Sequence, residues 1–332
     1  MTRVAMIPRR PVLVAVAALG VLSVSLSADA QQLSKVSLVG YLTPIPQPAR
    51  EEAFRQELRR LGYVEGQNIA IAYRSADGGF ERLPDLAATL VGLKVDVIVA
   101  VVTQATLAAK KATSTIPIVM VGASDPVRSG LVASLGRPGG NVTGTSSVAT
   151  DVVGKQLELL REMLPKASRV AALWNPANPV FQKLQLGEAT AAAAKLRVQL
   201  RFVEVRMPDE LDRAFAEIAK ERTDALVVLA DPVLYVHAAR IADLVTKHRL
   251  PAVGAAREFA DAGGLIAYGP NYIEAYRRAA TYVDRILRGT KPADLPVEQP
   301  TKFELVINAK AARALGVTIP RSLVVRADQV ME

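Results

Sequence analysis

The sequence predicts an α/β protein of two lobes, each built on a parallel sheet. Three observations carry this reading. Short β-rich runs alternate with helix-patterned runs from residue 36 onward. The run 95–102 is nearly continuous in apolar residues, as a strand buried on both faces requires. The alternation pauses over residues 124–147, a stretch rich in Gly, Ser, Pro and Asn, and a second series then begins at residue 151. Strand–helix–strand repetition closes into parallel sheets with helices on both faces.

Each element has a local reason. Residues 36–41 are β-rich and end in turn residues. Residues 48–61 place Ala53, Phe54, Leu58 and Leu61 at helical spacing, and Gly62 is positioned to stop that helix. Residues 69–73 read as a strand, 80–93 as a helix, 103–113 as a helix and 116–121 as a further buried strand. Within the pause, 142–145 is the one strand-like piece. In the second series 151–164 reads as a helix with Asp151 as its N-cap. Strand 169–174 and an alanine-rich helix over 178–196 follow. Then come strand 198–205, helix 208–221, strand 225–229, helix 233–248 and strand 250–253. An irregular patch, 254–264, precedes strand 265–268 and a long helix over 272–288. Residues 292–306, a short helix over 308–315 and a tail to 332 complete the chain.

The first thirty residues have a different character. A basic stretch (3–10), an apolar run (12–26) and the tripeptide Ala28-Asp29-Ala30 follow the order of a cleaved export signal, with cleavage expected after Ala30. The apolar run is about 15 residues long, short of the roughly 20 that span a bilayer. Arg9-Arg10 ahead of Val12-Leu13 faintly matches a twin-arginine signal, though Pro11 interrupts it. The chain has no cysteine. A lipid-tethered form needs a Cys just after its signal, so the expected location is the periplasm, free of a lipid anchor. A disulfide-free exported chain depends on its core alone, and the roughly 300 residues after the signal suffice for one.

Charge says less. The formal net charge is +9, and Arg3, Arg9 and Arg10 against Asp29 account for +2, leaving +7. The remaining Lys and Arg are interleaved with Asp and Glu. No basic block of the kind that binds nucleic acid is present, and a solvated basic surface explains the balance. Catalytic signatures are absent as well. There is no G-x-S-x-G, Walker A or H-E-x-x-H pattern. The two histidines, His237 and His248, lie 11 residues apart on one predicted helix and read as surface or packing residues.

Several segments resemble one family. They are VGYL (39–42), FRQELRRLGYVEGQNI (54–69), DVIVA (96–100), AAKKAT (108–113), IPIV (116–119), SDPV (124–127) and RPGGNVTG (137–144). Downstream come WNP (174–176), REF (257–259), GLIAYGPN (264–271) and PTKFELVIN (300–308). In this order and spacing they resemble the substrate-binding proteins of ABC importers, in the branch that includes tryptophan- and tyrosine-binding lipoproteins of Gram-positive bacteria. The likeness runs over nearly all of residues 36–330. It implies a type I periplasmic-binding fold: two Rossmann-like lobes, linked by three hinge crossings, that close on a small solute and pass it to an ABC permease in the inner membrane. It implies no cofactor, no nucleic acid and a monomer. The crossings are expected near residues 145–151, 254–258 and 298–302. The first lobe would then comprise 31–146 plus 258–298, its last strand and helix coming from residues 264–288. The second would comprise 147–257 plus 299–332.

The polar residues at the carboxyl ends of the strands are the candidate ligand contacts. In the first lobe these are Thr43, Thr103, Gln104, Ser124 and Asp125. Hydroxyls and free N–H groups there can take a ligand carboxylate, helped by the start of helix 103–113. Thr103 can equally be a plain N-cap. Asp125 can pair with a ligand ammonium or merely form the turn before Pro126. In the second lobe Ser146, Ser147, Trp174, Asn175 and Asp231 occupy matching places. Trp174, the one tryptophan, can stack on a flat ligand or belong to the core. Asp231-Pro232 repeats the Asp125-Pro126 pattern. Arg257 can clamp a carboxylate or form a surface salt bridge with Glu258 or a neighbour. Tyr268 ends a strand and lines the cleft or a hinge. The expected function is solute capture for import. A ligand sensor that docks on a membrane receptor is the alternative, and an exported α/β enzyme a remote one. The helix-turn-helix that a repressor of this fold would carry at its N-terminus is replaced by the export signal.

Overall fold

A computed structural model of the chain describes residues 36–332. The export signal expected over residues 1–30 lies outside the described residues. Residues Ser37–Glu332 form one unit holding two sheets.

The first sheet has the order β2-β1-β3-β4-β5, with every neighbour parallel. Its strands are β1 (Ser37–Thr43), β2 (Ile69–Ser75), β3 (Val97–Val101), β4 (Ile118–Ser124) and β5 (Val142–Ser147). Helices α1 (Pro48–Arg60), α2 (Leu83–Gly92) and α3 (Val102–Ala112) connect them. The chain then enters α4 (Ala149–Met163) and a second sheet of β6 (Arg169–Trp174), β7 (Gln199–Glu204), β8 (Ala225–Val228), β9 (Ala252–Gly254), β10 (Ile266–Pro270), β11 (Phe303–Asn308) and β12 (Gln329–Met331). Its order is β12-β11-β10-β9-β8-β6-β7, and β10–β11 is its antiparallel pair. The intervening helices are α5 (Pro179–Leu196), α6 (Leu211–Lys220), α7 (Pro232–Val236), α8 (Ala238–Lys247), α9 (Arg257–Asp261), α10 (Tyr272–Leu287), α11 (Ala309–Leu315) and α12 (Arg321–Arg326).

The apolar run of β3 now has its explanation. Side chains alternate across a strand. Val97, Val99 and Val101 meet Phe54 and Leu58 of α1 and Tyr276 and Val283 of α10 on one face. Ile98 and Ala100 meet Leu83 and Leu90 of α2 and Ala105 and Ala109 of α3 on the other. The second sheet is covered in the same way. Val153, Leu157 and Leu160 of α4 pack on one face, and Phe215, Ile241 and Leu244 on the opposite one. Burying a side chain the size of Phe54 or Phe215, both essentially inaccessible, stabilises the fold by about 1.5–3 kcal/mol.

Three crossings join the lobes. The first follows β5. At the third, Glu298 N–H donates to Gly144 O at 3.0 Å, Ser146 N–H donates to Glu298 O at 2.8 Å, and the chain then enters β11. The second crossing differs. The strand expected in the first lobe is β10, and it pairs with β9 and β11 in the second sheet. The chain crosses at Asn271, not at 254–258, so the segment returning to the first lobe starts near 271 rather than 258. Of the expected strand and helix, the helix α10 returns and lies on α1 and the first sheet, and Leu295 and Val297 after it also pack on the first lobe. Sheet membership depends on pairing with distant strands, which local periodicity does not encode.

Smaller differences have local causes. Helix 233–248 is two helices, α7 and α8, meeting at His237, whose backbone (φ −98°, ψ 18°) leaves the helical region. Helix α4 starts at Ala149, so Asp151 lies inside it and is not its N-cap. The irregular patch holds α9, and the tail supplies α12 and the edge strand β12.

Candidate functional site

The carboxyl ends of the two sheets enclose a small cavity of about 30 Å³. Thr103, Gln104, Ser124 and Ser147 line it from the first lobe, and Asn178, Phe181, Asp231 and Tyr235 from the second, with Tyr272 at the crossing. Ser146 and Ser147, expected on the second lobe, lie in β5, which pairs with β4 in the first sheet. That volume is close to one water's share of liquid. A solute of a dozen heavy atoms enters only if the walls part.

The backbone builds this wall under strain. Strand β3 ends at Val101 and α3 begins at Val102 without a linker, which puts Val102 at φ 60°. A β-branched residue in the left-handed region costs about 1–3 kcal/mol, and such strain gathers at functional sites. Its consequence is position: Thr103 and Gln104 arrive in the first turn of α3, facing the other lobe. The Thr103 hydroxyl accepts Ser124 N–H at 2.9 Å. Thr103 is therefore not the N-cap, which is Val101.

Asp231 organises the second-lobe wall. It is inaccessible to solvent and caps α7, accepting Val233 N–H at 2.9 Å. Its carboxylate also accepts Asn175 Nδ2 at 3.0 Å and Asn178 Nδ2 at 3.1 Å. Burial pushes its carboxyl above the ordinary value, against the pull of these donors. Asn178 reaches across the gap as well, accepting Gln104 Nε2. The other end of that amide, Gln104 Oε1, is buried without a partner, as is Gln182 Oε1 behind it on α5. An orphaned buried acceptor costs about 1–3 kcal/mol unless a donor reaches it.

At the edge of the cleft stands a first-lobe arginine. Arg50 of α1 is 4 % exposed, and its guanidinium carbon lies 4.7 Å from the Tyr235 ring centre and 4.5 Å from that of Tyr272. Its Nε donates to Glu258 Oε1 at 2.8 Å. Nη2 is also 2.8 Å from that oxygen, yet off the hydrogen-bond direction, so this donor is buried without an aligned partner. Burial raises the Glu258 carboxyl, but the charge and hydrogen bond of Arg50 outweigh it and hold the group below its ordinary value.

The structure brings some expected residues together and not others. Thr103, Gln104, Ser124, Ser147 and Asp231 line the cavity. Asn175 stands directly behind Asp231. Asp125 takes the turn alternative: it sits at φ 38°, accepts Arg128 N–H at 3.1 Å and lines an adjacent hollow of about 170 Å³. Ser146 is tied to the Glu298 carbonyl at the crossing. Four residues lie elsewhere. Thr43 folds back to donate to Ile45 O at 2.8 Å. Trp174 packs on the second-lobe core, its indole N–H buried without a partner. Arg257 points outward to Asp261 and Gln329, because α9 turns its neighbour Glu258 into the gap instead. The Tyr268 ring stacks on Phe303 with centres 6.1 Å apart.

Sequence reasoning missed Asn178, Phe181, Tyr235, Tyr272, Arg50 and Glu258. Asn178 carried a signal, since it precedes Pro179 at a helix start. Arg50 carried none, because nothing local distinguishes it from other arginines of α1.

A larger cavity of about 550 Å³ opens beside the crossings. Its walls include the Arg278–Glu298 ion pair, with side chains 38 % and 42 % exposed. Such a solvated groove holds its polar groups satisfied. The smaller cleft is instead walled by both lobes and holds a buried acceptor without a partner, Gln104 Oε1, which makes it the better candidate. Among the described residues no group of His, Cys, Asp and Glu could hold a metal. His248 packs on Phe215, ring centres 5.7 Å apart.

A family model described as ABC transporter substrate binding protein matches residues 39–331. A tyrosine-binding protein of Clostridioides difficile (strain R20291) is 28 % identical over 280 residues, covering 83 % of this chain and 80 % of that protein. Among solved structures, an ABC domain in complex with L-Trp from Streptococcus pneumonia is 26 % identical, with a TM-score of 0.80 over 89 % of this chain and 99 % of that one. The ligand-free, open structure of a substrate-binding protein with adhesive properties from Clostridium difficile is 27 % identical over the same shares of both chains, with a TM-score of 0.62.

Proposed function

Because the chain belongs to the ABC transporter substrate-binding protein family, we propose that its two lobes close on an amino acid or aromatic carboxylate and hand it to a membrane permease. The architecture is that of type I periplasmic binding proteins. Family members capture small solutes for ABC permeases, and are usually found outside the cytoplasm. On this reading the mature protein works in the periplasm as a soluble monomer. The expected export signal supports that location. Among the described residues no helix is long and apolar enough to cross a membrane.

One observation carries the proposal: polar side chains of both lobes together wall one cavity, and one acceptor there, Gln104 Oε1, is buried without a partner. A solute bonded to both lobes favours the closed arrangement, since only differential contacts shift such an equilibrium. Micromolar capture of a dozen-atom solute needs roughly 0.7 kcal/mol per atom, which a one-sided groove rarely supplies. The chemistry fits a zwitterion or aromatic acid. Hydroxyls of Thr103, Ser124 and Ser147, with the first-turn N–H groups of α3, suit a carboxylate. Asp231 and Gln104 Oε1 suit an ammonium. Phe181, Tyr235 and Tyr272 offer ring faces. The relatives that bind tyrosine and L-Trp support the same class. At nearly equal identity and coverage the chain also superposes better on the L-Trp complex than on the open relative, which supports a closed arrangement of its lobes.

Thermal melting with L-tyrosine, L-tryptophan and benzoate tests this. At a hundredfold excess over Kd, a ligand adds about 2.7 kcal/mol of stability, or roughly 5 °C in a protein of this size. A melting temperature unmoved by all three would remove the proposed class.

A further inference from the structure

We propose that Arg50 is a latch across the cleft: clamped between Tyr235 and Tyr272 and paired with Glu258, it sets how often the lobes open and how fast a bound solute leaves. The inference deepens the solute-capture reading, and only its kinetic readout depends on that reading.

The argument begins with where the partners sit. Arg50 belongs to α1, which packs on the first sheet. Tyr235 and Glu258 belong to α7 and α9 of the second lobe, and Tyr272 starts the helix that follows the crossing. The ion pair and the Tyr235 contact are therefore made across the gap between the lobes. They exist only while the lobes are together. A buried arginine without its carboxylate is strongly unfavourable. Opening must accordingly expose Arg50 to water, and closing must reform the whole set at once. Glu258 keeps 37 % of its side-chain surface exposed, so water can reach the pair from that side and release it.

The latch is wired to the solute cavity. Ser147 and Tyr272 both line the cavity, and the Tyr272 hydroxyl hydrogen-bonds Ser147. Tyr235 donates its hydroxyl proton to Tyr272 at 3.0 Å, and the guanidinium rests on both rings. A solute that moves Ser147 or either tyrosine also moves the seat of the arginine. Guanidinium planarity matters here: an ammonium is a compact point charge that cannot stack on two rings while forking toward a carboxylate. Arg50 and Glu258 are positioning residues on this account. They act through the two tyrosines and the lobes.

The test uses the chain's lack of cysteine. Spin labels on Lys111→Cys in α3 and Lys220→Cys in α6 report the distance between lobes in the purified protein. Into this background go Glu258→Gln, Arg50→Lys and, as a control on the neighbouring exposed arginine, Arg257→Ala. Dissociation of L-tyrosine is followed by stopped flow. Glu258→Gln and Arg50→Lys should shift the distance distribution to longer values with unchanged circular dichroism. They should also speed dissociation about tenfold while changing association by less than threefold, as expected when a buried pair rather than a rim charge is removed. Arg257→Ala, which removes a nearby charge but no contact with Arg50, should shift the distances far less than either latch variant. Unchanged distances in both latch variants overturn the proposal, as does an equal shift in the control. If distances shift but the parent does not bind L-tyrosine, the latch stands and that solute assignment falls.

Discussion

At the scale of single residues, Asp231 concentrates the chemistry of the cleft. Three donors converge on a carboxylate that solvent does not reach. Asp231→Ala orphans all three and should cost about 3 kcal/mol, read from a denaturant midpoint. Asp231→Asn is the subtler variant. The native carboxyl is raised above its ordinary value of 3.8, so the folded state holds this proton to higher pH than the unfolded chain. Its contribution is then fully present below that value and lost as pH rises through the raised one. Asp231→Asn should flatten this part of the stability profile. A profile parallel to the parent's would show that Asp231 titrates alike in the folded and unfolded chain and would overturn the upward shift. Asp231 was legible in the sequence because an Asp-Pro pair after a strand is a capping position. For Trp174 the sequence leaves stacking and core both open, because whether an end-of-strand ring faces core or cleft is decided by neighbours from other elements.

At the scale of elements, periodicity and turn residues revealed nearly every strand and helix, because those signals are local. Non-local decisions were hidden: β10 belonging to the second sheet, β12 joining its edge, and α10 returning to the first lobe without that strand. Glycines make the distinction testable. A Cβ on Gly269 of β10 would lie 2.0 Å from the Ala255 carbonyl oxygen, backbone against backbone. Gly269→Ala must push β10 away from the segment after β9 beside the second crossing, at a cost of about 3 kcal/mol or more. On Gly187, inside α5, the same Cβ meets nothing within 4 Å. Gly187→Ala should stabilise by about 0.5–1 kcal/mol, the ordinary helix-propensity difference. Thermal denaturation of the pair decides the matter. If both substitutions were neutral, the close approach at β10 would be wrong.

At the scale of the whole molecule, one ion pair ties the arrangement of the lobes to proton concentration. Glu258 is held below its ordinary value of 4.5 by Arg50, and only while the lobes are together. A group depressed in the closed state supports closure above its ordinary value and loses that support as pH falls through the depressed one. The charged and titratable groups around it are Arg50, Arg257, Tyr235, Tyr272 and Tyr276. The arginines keep their charge and the tyrosines stay neutral across the acid range, which leaves Glu258 as the group there that titrates. Asp231 acts in the opposite sense, since protonation relieves its burial. The distance between labelled lobes should therefore stay constant down to about pH 5 and lengthen as pH drops below 4.5, with secondary structure intact. Salt should lengthen it modestly, because Arg50 is buried but Glu258 keeps 37 % of its side chain exposed to screening ions. Glu258→Gln removes the titrating group, so its distances should already be long at pH 6 and stay flat with pH. Parallel curves for the parent and Glu258→Gln would assign the opening to some other carboxylate and detach it from the Arg50 contact.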